Sequence, residues 1–163
     1  MKAFVVDTNV LVTASGRAEH AGPVCVLSCV KELEEITASG RIVLDSEMLI
    51  LTEYRENLSL AGQPGVGDAF LKWVWQYQSV AERCEKVTIT PENGSFKEFP
   101  ASPELAGFHS DDRIYVAVAI ASPSRPKVLN AVDSDWWDYR HALRKHGVRV
   151  KNLCPHQFAR QAH

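Results

Sequence analysis

Acidic residues stand at five positions where they could be used for chemistry. Asp7 closes the apolar run Ala3-Phe4-Val5-Val6 and opens Asp7-Thr8-Asn9. Glu53 lies in Thr52-Glu53-Tyr54-Arg55-Glu56, and Asp112 follows Ser110-Asp111. Asp133 closes the run Lys127-Val128-Leu129-Asn130-Ala131-Val132, with Asp135 two residues on. Carboxylates gathered at one place repel, and each resists ionising unless a cation compensates. Their oxygens are hard ligands, and no Cys or His accompanies them, which favours Mg²⁺ or Mn²⁺ over zinc. Such ions can activate a water and stabilise the leaving oxygen of a phosphodiester. They would also bring a phosphate backbone to a chain with net charge −2, whereas a binder working by charge alone would be basic. A single acid in a loop is usually a helix cap. Asp45, Asp68 and Asp111 are read as solvated caps, and Asp7 alone could be one. The metal reading rests on convergence of several acids.

Convergence depends on the elements that carry them. Residues 3–6 form a continuous apolar run, as in a strand buried on both faces. A helix over 23–39 starts with Pro23, carries Val24, Leu27, Val30 and Leu33 at helical spacing, and stops at Gly40. A short strand over 41–44 precedes a helix from about Glu47 to Leu60, with Met48, Leu49, Leu51, Tyr54 and Leu58 on its inner face. A third helix, about 68–82, carries Phe70, Leu71, Trp73, Val74 and Tyr77, read as core packing. Strands are expected at 86–89, 127–132 and 148–150, a loop at 90–109, a buried helix after Ser110, and one helix from Asp133 to about His146. A last helical turn follows Pro155. Strands alternating with helices imply an α/β fold with a mostly parallel sheet of about five strands between helix layers, a single domain over 1–163. In such sheets ligands bind beyond the carboxyl ends of the strands. Asp7, Asp112 and Asp133 all fall at that end, and Glu53 lies one to two turns into its helix.

These motifs, in this order and on these elements, resemble the PIN-domain family across nearly the whole chain. The resemblance implies a three-layer Rossmann-like fold and a Mg²⁺- or Mn²⁺-dependent endoribonuclease. By it, Asp7, Glu53, Asp112 and Asp133 would coordinate metal or position water, Asp135 would be an auxiliary metal ligand, and Asn9 would shape the first loop. Many small stand-alone members are toxins of toxin–antitoxin pairs, often dimeric and silenced by a small antitoxin protein. The chain departs from the family at Ala131, where Ser or Thr commonly stands two residues before the Asp that ends the fourth strand. That departure leaves room for an alternative, a PIN-like module that binds RNA or protein without cutting. A phosphatase ranks below both, because Asn9 replaces the second acid that an aspartyl-phosphate enzyme would place after strand one.

The remaining residues point less far. Arg140, Arg144, Lys145, Arg149 and Lys151 could bind phosphates, although a solvated face is the usual role of such residues. Of Trp136 and Trp137, one is expected to pack under the site; His109 and His141 are expected at the surface. No stretch approaches the ~20 apolar residues that span a bilayer, and the start lacks a signal peptide's core, so a cytoplasmic location is expected. The four cysteines, at 25, 29, 84 and 154, are then expected as reduced thiols, with Cys25 and Cys29 packed as small apolar residues on one helix face.

Overall fold

The computed structural model describes residues 1–159. Its centre is strand β1 (Ala3–Val6), whose residues from Phe4 to Val6 are buried. β1 pairs in parallel with β2 (Arg41–Asp45) on one side and with β6 (Lys127–Asn130) on the other. β3 (Cys84–Val87) extends the sheet beyond β2, and β7 (Val150–Asn152) extends it beyond β6. The order β3-β2-β1-β6-β7 is parallel throughout. The chain winds outward from β1 in one direction, then returns to build the other half. The strand order therefore reverses between β1 and β6, which is where open α/β sheets leave a crevice for ligands.

Helices α1 (Thr8–Ala14), α2 (Pro23–Ser39) and α4 (Val66–Tyr77) pack on one another, and α3 (Leu49–Asn57) joins α1. Helix α5 (Arg113–Ala121) packs on β1, β2 and β6. α6 (Ser134–Asp138) and α7 (Arg140–Lys145) lie against β7, and α8 (Pro155–Ala159) follows it. The result is the expected three-layer Rossmann-like sandwich. Among the described residues no helix is long and apolar enough to cross a membrane.

Several expectations need correction. Helix α1 was not foreseen, because its Val-Leu-Val-Thr run favours a strand locally. The segment expected as a loop at 90–109 contains a small hairpin, β4 (Pro91–Glu92) with β5 (Ser95–Phe96), and two 3₁₀ turns. The helix expected from Asp133 to His146 breaks at Tyr139, whose ring packs edge-on against Phe108, 5.5 Å between centroids. Strands β3 and β7 each lie two residues from the expected position, a shift that preserves which face each side chain occupies. Leu49, expected on an inner face, and Tyr77, expected in the core, are exposed, as are Val24 and Leu27 of the apolar spacing on α2. Asp45 and Asp68 cap helices as expected, but neither is solvated. Asp45 accepts from the backbone N–H of Leu49 (2.8 Å) and Ile50 (2.9 Å) with its side chain fully buried. Buried Asp68 accepts from Ser59 and Gly65 and pairs with Arg17.

The largest correction concerns the cysteines. Cys25 on α2 and Cys154, just before α8, form a disulfide with Cα atoms 5.2 Å apart; Cys29 and Cys84 are buried free thiols. The partners are separated by 129 residues, so no local spacing could reveal the pair. Burial pushes the Cys29 thiol up to about 12, with the Glu32 charge adding to the shift.

Candidate metal centre

The β1–α1 junction sets the first carboxylate. Asp7 follows β1 with an extended backbone and its N–H bonds the Leu129 carbonyl of β6 (3.2 Å). Asp7 Oδ1 accepts from the backbone N–H (2.8 Å) and side-chain Nδ2 (2.6 Å) of Asn9, so the residue caps α1. Its other oxygen, Oδ2, accepts from Trp136 Nε1 at 2.9 Å. Trp136 is fully buried on α6 and underlies the site, as expected for one of the two tryptophans. The cap role and a site role therefore coexist in one side chain.

Asp133 sits in the corresponding place after β6 and caps α6, accepting from Asp135 N–H at 2.9 Å. Asp112 ends the 3₁₀ turn before α5. One carboxylate oxygen from each of Asp7, Asp112 and Asp133 lies within 4.8 Å of the others. Three residues as far apart in sequence as 7 and 133 thus meet at the switch point of the sheet. The choice of Asp112 over Asp111 agrees with this geometry, since Asp111 is exposed.

The electrostatics follow from the crowding. Burial first, and then the charges of Glu53 and Asp133, lift the Asp7 carboxyl to about 6, against the lowering effects of Asn9 and Trp136. Asp112 rises to about 9, again through burial first and then the charges of Asp7 and Asp133. Carboxylates in this position keep protons unless a cation replaces them. The donor set is all oxygen, which suits Mg²⁺ or Mn²⁺.

Glu53 on α3 stands beside this triad but outside the set that meets within 4.8 Å. Its Oε2 accepts from the Thr8 hydroxyl (2.6 Å) and from the Tyr115 hydroxyl. Those two hydroxyls are 2.7 Å apart. Burial, and next the Asp7 charge, hold the Tyr115 phenol well above its ordinary range, so it remains a proton donor. Asp135 is engaged elsewhere, accepting from His109 N–H at 3.2 Å, and is not part of the converging set.

The first loop is tied to the fourth expected strand by amides. Asn9 Oδ1 accepts from Ala131 N–H (2.8 Å) and Val132 N–H (3.2 Å), and Asn9 Nδ2 donates to Asn130 Oδ1 (3.1 Å). Asn130 Nδ2 in turn donates to the Asp133 carbonyl (2.9 Å). Asn9 thus shapes the loop as expected, and buried Asn130 is part of the same network. Thr8, Tyr115 and the Trp136–Asp7 bond are the features that sequence reasoning missed. Comparison of the chain with protein-family models, with curated proteins and with solved structures finds no match to any.

Proposed function

We propose that the protein is a metal-dependent endoribonuclease of the PIN type, and that it is the toxin of a toxin–antitoxin pair acting in the cytoplasm. The observation that carries the enzymatic part is the meeting of Asp7, Asp112 and Asp133 within 4.8 Å at the reversal of strand order. These three would hold Mg²⁺ or Mn²⁺, which when bound supplies Lewis acidity and neutralises phosphate charge. Trp136 and Asn9 hold the Asp7 carboxylate in place. Glu53, one oxygen fixed by two hydroxyl donors, would orient a water with the other, whereas Asp135, bonded to the His109 N–H, stands outside the set. The antitoxin protein and a homodimer belong to the proposal through the family resemblance alone.

The test is Asp7→Asn assayed on RNA with Mn²⁺. The single amide oxygen can accept from Asn9 or from Trp136 but not from both, and the ligand charge is lost, so cleavage should fall by more than the roughly 10–100-fold that removal of an outer partner of a metal ligand costs. Circular dichroism and thermal melting should show an intact fold. Wild-type cleavage rates in that variant would refute the assignment. Failure of the folded wild-type protein to bind Mn²⁺ at millimolar concentration would favour the non-catalytic alternative.

A further inference from the structure

The opposite end of the sheet carries the reverse charge. A hollow of about 250 Å³ opens at the amino ends of β1 and β6 and is lined by Lys2, Arg125, Lys127, Arg149 and Lys151. A second hollow, of about 320 Å³, shares Lys127 and Arg149 with the first and adds Arg140, His141 and Arg144. Seven of the chain's 18 Lys and Arg residues line these two cavities, and no Asp or Glu does. Among the described residues one acid pairs with any of the seven, Glu32 with Lys151 at 3.0 Å. In a chain of net charge −2 this is a strong local excess of positive charge.

The surface is also organised. Arg125 has φ 49°, in the left-handed region, directly before Pro126, where backbone sterics disfavour such a conformation. Its carbonyl accepts from Arg149 Nη2 at 2.9 Å, which fixes the guanidinium that divides the two hollows. Arg140 lies over the Trp137 ring at 3.7 Å, and Phe158 stacks on that ring at 5.0 Å. Trp137 is therefore covered by Arg140 and Phe158 rather than open for a base to stack on. What remains is paired cationic hollows with a common guanidinium wall, suited to successive anionic groups and blind to base identity.

We propose that these hollows bind the phosphodiester backbone of single-stranded RNA at the end of the sheet opposite the acid cluster. The choice of RNA rests on the nuclease reading; the anion chemistry does not. Lys2 and Asp7 are separated by the length of β1, about 17 Å at 3.3 Å per residue. That line runs through the buried centre of the sheet, so a stacked strand rising 3.4 Å per nucleotide needs more than about five nucleotides to pass round the surface and engage both ends.

The experiment is fluorescence anisotropy with a labelled oligouridine of about 12 nucleotides in EDTA, where cleavage plays no part, over a salt series. Each phosphate contact contributes about −0.7 to the log–log salt slope for a single strand. Arg144→Glu/Arg149→Glu should weaken binding about tenfold or more and flatten the slope by about 1.4. A control of equal charge change on exposed α3 and α4 positions, Arg55→Glu/Lys72→Glu, should do neither. Both variants alter exposed side chains, and Arg144→Ala/Arg149→Ala provides a milder form should charge reversal impair folding. Unchanged affinity and slope in both patch variants would overturn the proposal. So would equal weakening by the control, or displacement of the RNA by polyglutamate at matched charge, which would assign the surface to acidic peptides. RNA held here but never cut with Mn²⁺ would sink the nuclease reading and leave this one standing. Cleavage with no response of binding to the patch variants would do the reverse.

Discussion

At Glu53 one carboxylate oxygen receives hydroxyls from two different elements, Thr8 of α1 and Tyr115 of α5. A carboxylate held by two donors has little freedom to swing, which is what a residue that orients a water requires. Tyr115→Phe removes one donor without changing the shape of the buried ring. A hydrogen bond to a charged group contributes about 1.5–3 kcal/mol, so the variant should melt several degrees lower. Mn²⁺ affinity, measured by isothermal titration, should stay within about twofold, because Asp7, Asp112 and Asp133 do not depend on that hydroxyl. The turnover of RNA should fall about tenfold, the lower end of what support to a metal site contributes. A large loss of metal affinity would show instead that Glu53 is itself a ligand. At this scale the sequence showed the acids but not their partners. Asp7 and Asp133 were visible because each follows an apolar strand, and Asp112 because it opens a helix. The bonds made by Thr8, Tyr115 and Trp136 were not, since they cross 45 to 129 positions and leave no local pattern.

Helix α1 explains why some elements were harder to see than others. Strands β1, β2 and β6 are short apolar runs with turn residues at their ends, and α2 has Pro23 and Gly40 as boundaries, so local chemistry and fold agree. In α1 they disagree. Its residues favour a strand, but five of seven are buried against neighbouring helices, and burial outweighs propensity. That burial requires α4 to come very close. A Cβ on Gly67 would lie 1.9 Å from the Leu11 carbonyl oxygen, and the Gly67 N–H donates to Ser15 Oγ at 2.9 Å. Gly67→Ala should therefore force the two helices apart and cost about 1–3 kcal/mol, read as a fall of several degrees in melting temperature. An unchanged melting temperature would mean that α1 and α4 do not pack as described. Because α1 begins at Asp7, the same variant should also weaken Mn²⁺ binding, whereas an alanine in the open turn at Gly94 should not.

Over the whole molecule, the proposed ion binding would be linked to stability through the same carboxyls. In an unfolded chain Asp7 and Asp112 would ionise near 3.8, but in the folded protein they keep their protons to about 6 and about 9. Their contribution to stability is complete below the unfolded value and is lost as pH rises through the folded values. The melting temperature of the protein in EDTA should thus decline between about pH 4 and about pH 9, the window set by those two shifts. Asp112→Asn should flatten the upper part of that decline. Mn²⁺ at a hundred times its dissociation constant would add about 2.7 kcal/mol, or about 5–10 °C for a domain of this size. A melting temperature indifferent to both pH and Mn²⁺ would mean that the three carboxyls are too far apart to interact. The strand order has one more consequence. Asp7 follows β1, the first strand of the sheet to be made, but the neighbour that completes its cluster, Asp133, follows β6, made after β2 and β3. A ribosome making this protein exposes the first carboxylate early and the last one late. If the cluster cuts RNA, a growing polypeptide is harmless to the message that encodes it until β6 has paired with β1 and brought Asp133 to Asp7.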